Sequence, residues 1–545
     1  MPREMWLGWL VFFALTTTAE GHGLRVSNVR FEMTPVACPG GDEGCALGEI
    51  TFDVGWNDSW RGVLQEDGYD IENWDAAWIF VKVRASRGTG IREWRHAAIE
   101  PAGTTVGEYQ VQGVADRRGV FVFQNPQQDC ELERRGQGAC WGKAEFDDVR
   151  VRWMAGRAEA SAERFDLWVH GLEMVFVPTG PFQVGEKGCS TSAANVARCF
   201  YNTHQPAQTF EVASEDALGI CSSEPGVCYV DTQGQPSGEA GLPASFPKGY
   251  QGFYAMKYEL DQGHYADFVN SLPVPARTLR FSHGAQGAYR YEVRWNRDGD
   301  ARRIALRPDR ASNWVSWSDA AAYLDWAGLR PMSELEFEKL TRGPGAPVGN
   351  SYAWGSTWIS TARLIVGSEE DGITVNGNAH IGANELLGGD GGLGPLPGHA
   401  FLETTSRDPD AIEPPGLQSF DPQGEVIQRS EREREGRSYY GALHLTGNLW
   451  EYVVNLSSDP GRAFSGQHGD GELDGENCAP ENQDCGAQAN VEGWPGRDGF
   501  GIGFRGGAWY TPEKRGRIVD RHFMDLAYPD RSHDTGIRGV RTVED

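Results

Sequence analysis

Sulfur is the chemistry this chain spaces most regularly. Its ten cysteines fall in five close couples, Cys38/Cys45, Cys130/Cys140, Cys189/Cys199, Cys221/Cys228 and Cys478/Cys485, each separated by 7 or 10 positions. Thiols so placed could bridge, bind a soft metal or act as nucleophiles. Zinc would need C-x2-4-C couples and clustered histidines, and neither occurs. Segments such as CPGGDEGC, CSSEPGVC and CAPENQDC are rich in turn residues, so the pattern predicts five local disulfides that staple loops. A bridge closing so few residues contributes about 2–3 kcal/mol by the chain-entropy estimate.

Other chemistry-bearing residues are scattered. None of the 12 histidines has another four positions on, which removes His-Glu-x-x-His helices. No phosphate-cradling glycine loop and no Ser/His/Asp signature is visible. The acidic turns Asp470-Gly-Glu-Leu-Asp474-Gly-Glu476 and Glu369-Glu-Asp371 do not spell an EF-hand loop and read as solvated.

From Leu24 to His170 the elements available to hold such groups are strands. Ile50–Trp56, Ala77–Val83, Gly119–Phe123 and Val149–Trp153 are short, β-branched and aromatic, with turn-rich segments between them. They predict an antiparallel β-sandwich over residues 24–170, with Trp56, Trp60, Trp74, Trp78 and Trp153 packed between sheets rather than displayed for sugar stacking. From Glu173 the texture changes. Ser318–Trp326 predicts a helix with Ala322, Tyr323 and Trp326 on one stripe. Ser333-Glu-Leu-Glu336 is a capping-box pattern opening a second helix that runs to Thr341 before Gly343. Residues 407–437, with the charge run Arg429–Glu435, read as a polar surface insert.

Charge narrows the partners. Against 50 Lys+Arg stand 77 Asp+Glu, a net charge of −27, so nucleic acid and anionic lipid are excluded as expected ligands. At the N-terminus the apolar run Met5–Leu15 precedes the small residues around Thr16–Gly21, the layout of a secretory signal over residues 1–21. That run is too short to span a membrane and no later stretch approaches 18 apolar residues. The expected destination is oxidising: extracellular, cell surface or periplasm, with no transmembrane segment in the mature chain.

Residues 171–545 resemble the formylglycine-generating enzyme or sulfatase-modifying-factor family. The blocks that carry this, in order, are Glu173–Gly185 (EMVFVPTGPFQVG), Phe253–Glu259 (FYAMKYE), His264–Asn270, Val315–Ala320 and Leu329–Glu338 (LRPMSELEFE). Tyr352–Gly355, Thr446–Glu451 (TGNLWE), Phe504–Trp509 (FRGGAW) and Gly536–Arg541 (GIRGVR) follow. The resemblance implies an α+β, C-type-lectin-like fold with little regular secondary structure. A β-sandwich followed by such a domain is also similar to an arrangement in exported bacterial proteins. Asn448, Trp450, Arg505, Gly506, Gly507, Trp509, Arg538 and Gly539 are expected to be scaffold. The glycines would let backbones pass beside indoles, and Arg505, Arg538 and Arg541 would form buried forks between distant loops.

What the resemblance implies chemically is tested by particular positions. Family members that oxidise a sulfatase cysteine bind copper through a cysteine pair shortly after Arg-Gly-Gly. Here Thr511 and Gly516 stand about where those cysteines would be, and neither is a ligand for soft Cu(I). The iron-dependent branch takes its ligands from an H-x3-H-x-E motif that this chain lacks, leaving only His444, His468 and His522 as scattered candidates. A calcium site in the family would map to the Gly447 and Leu449 carbonyls and the Glu451 carboxylate, with His444 replacing an oxygen ligand. Calcium is therefore the cofactor left open, and copper is not expected.

The expectation is an exported module, non-catalytic for cysteine oxidation, that presents loops to a protein or glycan partner. Two rivals stand beside it: a metal-dependent oxidoreductase built on other ligands, and a self-associating filament or surface-layer subunit.

Overall fold

The computed structural model describes residues 23–37, 43–66, 68–87, 90–91, 93–102, 109–125, 139–155, 164–187, 189, 198–230, 235–282, 285–296, 302–361, 365–366, 374–375, 379–381, 395–396, 430–474, 487–526 and 528–543. The signal-like segment 1–21 lies outside them. Among the strands of the N-terminal half are β1 (Arg25–Ala37), β2 (Glu43–Glu66), β3 (Tyr69–Arg87), β4 (Val120–Gln124), β5 (Ala139–Ala155) and β6 (Arg164–Val177). Then follow β7 (Phe253–Met256), helices α1 (Gln262–Ser271), α2 (Trp317–Trp326) and α3 (Glu334–Arg342), and strands β8 (Trp450–Val454), β9 (Ile502–Arg505) and β10 (Gly539–Thr542). Strands outnumber helices throughout, with long irregular stretches between them.

Strand β6 joins the two halves. Its first part pairs antiparallel with β3, Val81 opposite Val169 and Trp78 opposite Leu172. It then runs past residue 170 and pairs with β7, Met174 opposite Met256 and Val177 opposite Phe253. Strand β7 pairs in turn with β10. The boundary expected between residues 170 and 171 thus falls inside a strand, and one thirteen-stranded sheet runs from the N-terminal half into the C-terminal half.

Strand β3 is buried on both faces, which is why Ala76–Val81 reads as a continuous apolar run rather than an alternation. Ala77, Ile79, Val81 and Val83 pack with β1, β2, β5 and the start of β6, including Phe31, Phe52, Val151 and Leu167. Trp74, Ala76, Trp78 and Phe80 face the other way, onto Tyr254, Met256, Phe268 of α1 and Tyr323 and Trp326 of α2. The five N-terminal tryptophans are all buried, as expected. Four of the indole nitrogens are bonded; Trp78 donates to the Ala327 carbonyl at 2.9 Å and Trp74 to the Tyr254 hydroxyl at 3.0 Å.

The two expected helices form, within a residue or two. Ser316 and Ser333 each cap with a reciprocal box, to Asp319 and Glu336 respectively, and Gly343 closes α3 at φ 71. Helix α1 has no counterpart in the sequence reading. Asp261 caps it by accepting from the His264 N–H, but Gly263 in the first turn weakens its propensity signal. The charge run near residue 430 differs as well. Residues 407–429 lie outside the described residues. Beyond them Glu431–Glu435 is a short helix and Arg432, Glu435 and Arg437 are buried, Arg437 pairing with Glu435 and Arg432 lying over the Tyr439 ring. Internal pairing, not solvent, satisfies those charges.

Among the couples, Cys189–Cys199 and Cys221–Cys228 are bonded, with Cα atoms 5.8 and 4.4 Å apart, and they share one buried cluster with Tyr201 and Val519. Cys45 is also disulfide-bonded. Cys38, Cys130, Cys478 and Cys485, and the Cys140 side chain, lie outside the described residues.

Candidate functional site

The Gly-Asn-Leu-Trp and Arg-Gly-Gly-Ala-Trp loops meet edge to edge. Gly447 adopts φ 83, and a Cβ there would sit 2.4 Å from the His380 carbonyl. Its N–H donates to the Gly506 carbonyl at 2.8 Å, while Trp509 N–H donates to the Asn448 carbonyl at 2.9 Å. Asn448, itself left-handed at φ 64, holds the junction with its side chain, accepting from Leu396 N–H at 2.8 Å and donating to Glu259. Gly539 would place a Cβ 2.5 Å from Leu324, so it too marks a close approach.

Buried ion pairs fasten these loops to the sheet. Arg538 donates to both oxygens of Glu451, at 2.8 to 3.1 Å, and to the Met256 and Leu443 carbonyls at 2.6 Å. Arg505 bridges Glu338 at 3.0 Å and the Ile518 carbonyl at 2.7 Å, and Trp450 packs on Phe504 and Phe523. Arg505 and Arg538 thus each join a carboxylate to the carbonyl of another segment. Arg541 does the same towards the N-terminal half, reaching Asp116 and the Gly328 carbonyl and lying over the Trp78 ring.

Glu259 is the residue that sequence reasoning passed over. Its carboxylate accepts from Leu449 N–H at 3.0 Å and from Asn448, and lies 3.4 Å from His444 Nδ1. Burial pushes it up to about 8, and burial likewise pushes Glu451 up to about 7 despite Arg538. Glu259 also lines a small cleft, about large enough for one water, at the seam of β6 and β7, together with Leu172, Glu173, Tyr258, Asp261 and His264. Burial opposes charge on His264, but Asp261 at 2.6 Å outweighs it and lifts the imidazole to about 9. No spacing rule could have found this set, because positions 173, 259 and 448 meet only through tertiary packing.

As a calcium site, Glu451 commits both oxygens to a guanidinium and His444 offers nitrogen, so an ion would have to share the carboxylate with Arg538. His468 accepts from Thr542 N–H at 3.0 Å, and His522 packs on Phe523. Among the described residues, the one grouping of His, Cys, Asp and Glu donors close enough to share an ion is Glu186, Cys189 and Cys199, and its two sulfurs are bonded to each other.

Residues 166–366 match the family described as the sulfatase-modifying factor enzyme 1-like domain. This segment is similar to that domain family. It begins within β6 and carries the cleft, α1, α2 and α3; the TGNLWE and FRGGAW blocks lie beyond the matched residues and pack back onto it, as when Val454 N–H donates to the Met332 carbonyl at 2.9 Å. The formylglycine-generating enzyme of Streptomyces coelicolor is 47% identical over 62 residues, 11% of this chain. The chain spans 19% of the length of that curated relative. The structure of PvdO from Pseudomonas aeruginosa aligns at 15% identity with a TM-score of 0.27, covering 68% of this chain and 95% of that one.

Thr511 and Gly516, the positions that the resemblance sets against a copper-binding cysteine pair, lie beyond the matched residues. The Thr511 hydroxyl donates to the Ala508 carbonyl and accepts the Ala508 N–H, both at 2.9 Å. The Gly516 carbonyl accepts from Thr446 at 2.9 Å. A Cβ at 516 would lie 2.7 Å from Thr446 Cγ2 and 2.8 Å from Ile381 Cδ1. Neither position supplies sulfur, and a side chain at 516 would require Thr446 and Ile381 to shift. These residues do not fit a Cu(I) ion.

Proposed function

We propose that this chain is a non-oxidising relative of the formylglycine-generating enzymes, an exported protein that uses the sulfatase-modifying factor scaffold to hold a binding surface. The observation that carries this reading is the packing at Gly516, where Thr446 and Ile381 occupy the space a second cysteine would need. The bonded couples Cys189–Cys199 and Cys221–Cys228 support an oxidising destination, because such bridges persist outside reducing compartments. Arg538, in this reading, neutralises Glu451 in place of calcium. The partner is a protein or glycan presented outside the cell.

The test is reconstitution of the full chain with copper, metal analysis after desalting, and incubation with a sulfatase-derived cysteine peptide. No retained stoichiometric copper and no aldehyde in the peptide is the expected result. Aldehyde formation overturns the proposal.

A further inference from the structure

Around His533 the chain gathers four aromatic rings from three segments. Ring centroids of Tyr289, Tyr510, Trp509 and Trp314 lie 4.3, 5.4, 5.7 and 6.1 Å from the imidazole. Tyr289 and Tyr510 are 38% and 40% exposed, whereas Trp509 beneath them is only 4% exposed. The backbone is strained to place them. Tyr289 at φ 50 and Trp314 at φ 58 are left-handed, a conformation that bulky side chains rarely adopt. One side chain holds the arrangement: Asn313 Nδ2 donates to the carbonyls of both Tyr289 and His533 at 2.9 Å. Strain held in this way around exposed rings points to a site rather than to core packing.

Unmet hydrogen bonding says what such a site lacks. The indole nitrogens of Trp314 and Trp509 are buried and have no hydrogen-bond partner among the described residues. A ligand that offers acceptor oxygens would answer them on displacing the covering rings. A quaternary ammonium brings no acceptor. An anion would meet Asp534, which accepts from the Tyr510 hydroxyl at 2.9 Å, while the nearby Arg531 is already committed to Asp319 at 2.7 Å. The remaining chemistry is a neutral ring with an apolar C–H face for the tyrosines and hydroxyls at its edge.

We propose that the Tyr289–Tyr510 face, with Trp314 and Trp509 behind it, binds a neutral saccharide. This rests on the reading of the chain as a binding protein and names its ligand class. The site stands beside Thr511 but needs nothing from it.

The full chain, titrated with cellohexaose, mannohexaose and chitohexaose by calorimetry and indole fluorescence, tests this. At least one oligosaccharide is expected to bind and to perturb indole emission. Tyr510→Ala and Tyr289→Ala should each weaken it by about tenfold, while Tyr510→Phe, which keeps the ring, should hold affinity within about twofold. Should Tyr289→Ala fail to fold at its strained position, Tyr510→Ala carries the comparison. Exposed Tyr69, at the start of β3, supplies the control: Tyr69→Ala should change nothing. Binding of none of the three sugars, binding indifferent to Tyr510→Ala, or indole perturbation by choline alone each overturns the assignment. Aldehyde formation in the copper assay overturns the binding-protein reading whichever way the titration falls, whereas a null titration without aldehyde overturns only the saccharide.

Discussion

Lys257 Nζ lies 3.1 Å from Asp75 Oδ2, a fully enclosed ion pair between residues 182 positions apart. Glu173 completes it from β6, at 3.0 Å from the same ammonium. Asp75 also accepts from Trp56 Nε1, the Ser59 hydroxyl and Trp60 N–H, so its oxygens are saturated. The pair ties β3 of the N-terminal half to the segment after β7.

Lys257→Met should therefore destabilise strongly. It leaves two buried carboxylates without their cation, a loss of about 3–5 kcal/mol. Urea denaturation followed by tryptophan fluorescence measures it. A cost under about 1 kcal/mol would mean that the pair holds nothing together.

Removing residues 24–163 should not release a folded C-terminal part. Trp74, Ala76, Trp78 and Phe80 leave one core while β6 loses its partner strand. Each large apolar side chain so lost from burial is worth about 1.5–3 kcal/mol. Expression of 164–545 alone is expected to give insoluble or unfolded protein. A soluble fragment with a cooperative melt would show that β3 is dispensable.

At position 516 even one methyl group should be felt. Gly516→Ala places a Cβ against Thr446 and Ile381 and should cost about 1–3 kcal/mol, seen as a lower melting temperature. Thr511→Cys with Gly516→Cys should be less stable still and should retain no copper after desalting. Tight, stoichiometric copper in that double variant would mean that the turn opens readily.

Glu259 sets a pH dependence. Its folded pKa of about 8 lies above the ordinary 4.5, so the folded state keeps a proton that the unfolded chain has released between those values. Stability from this group is complete below about pH 4.5 and is lost as pH rises through about 8. Glu259→Gln stays neutral throughout. Between pH 5 and 8 the parent should lose more stability than the variant, the other titrating groups being common to both. Parallel urea midpoints across that range would remove Glu259 as the cause.

Adding calcium should leave the melting temperature unchanged, because Arg538 already neutralises Glu451. A calcium-dependent rise abolished by Glu451→Gln would reverse that assignment.

Local chemistry was legible wherever a few neighbouring residues decide the outcome. The Ser333–Glu336 box, the stop at Gly343 and the bonded couples at 189/199 and 221/228 all depend on residues within about ten positions of each other, and sequence alone determined them. It likewise determined that positions 511 and 516 carry no thiol. The role of β3 was not legible. An apolar strand does not say which neighbour covers each face, and burial of both faces follows only from β1, β2 and β5 packing on one side and α1 and α2 on the other. The same holds for the site. Tyr289, Trp314, Tyr510 and His533 have no common spacing, and Glu259 meets Asn448 across 189 positions. Only tertiary packing brings such groups within a few ångströms, because long-range pairing and buried charge, not local propensity, set where those loops must close.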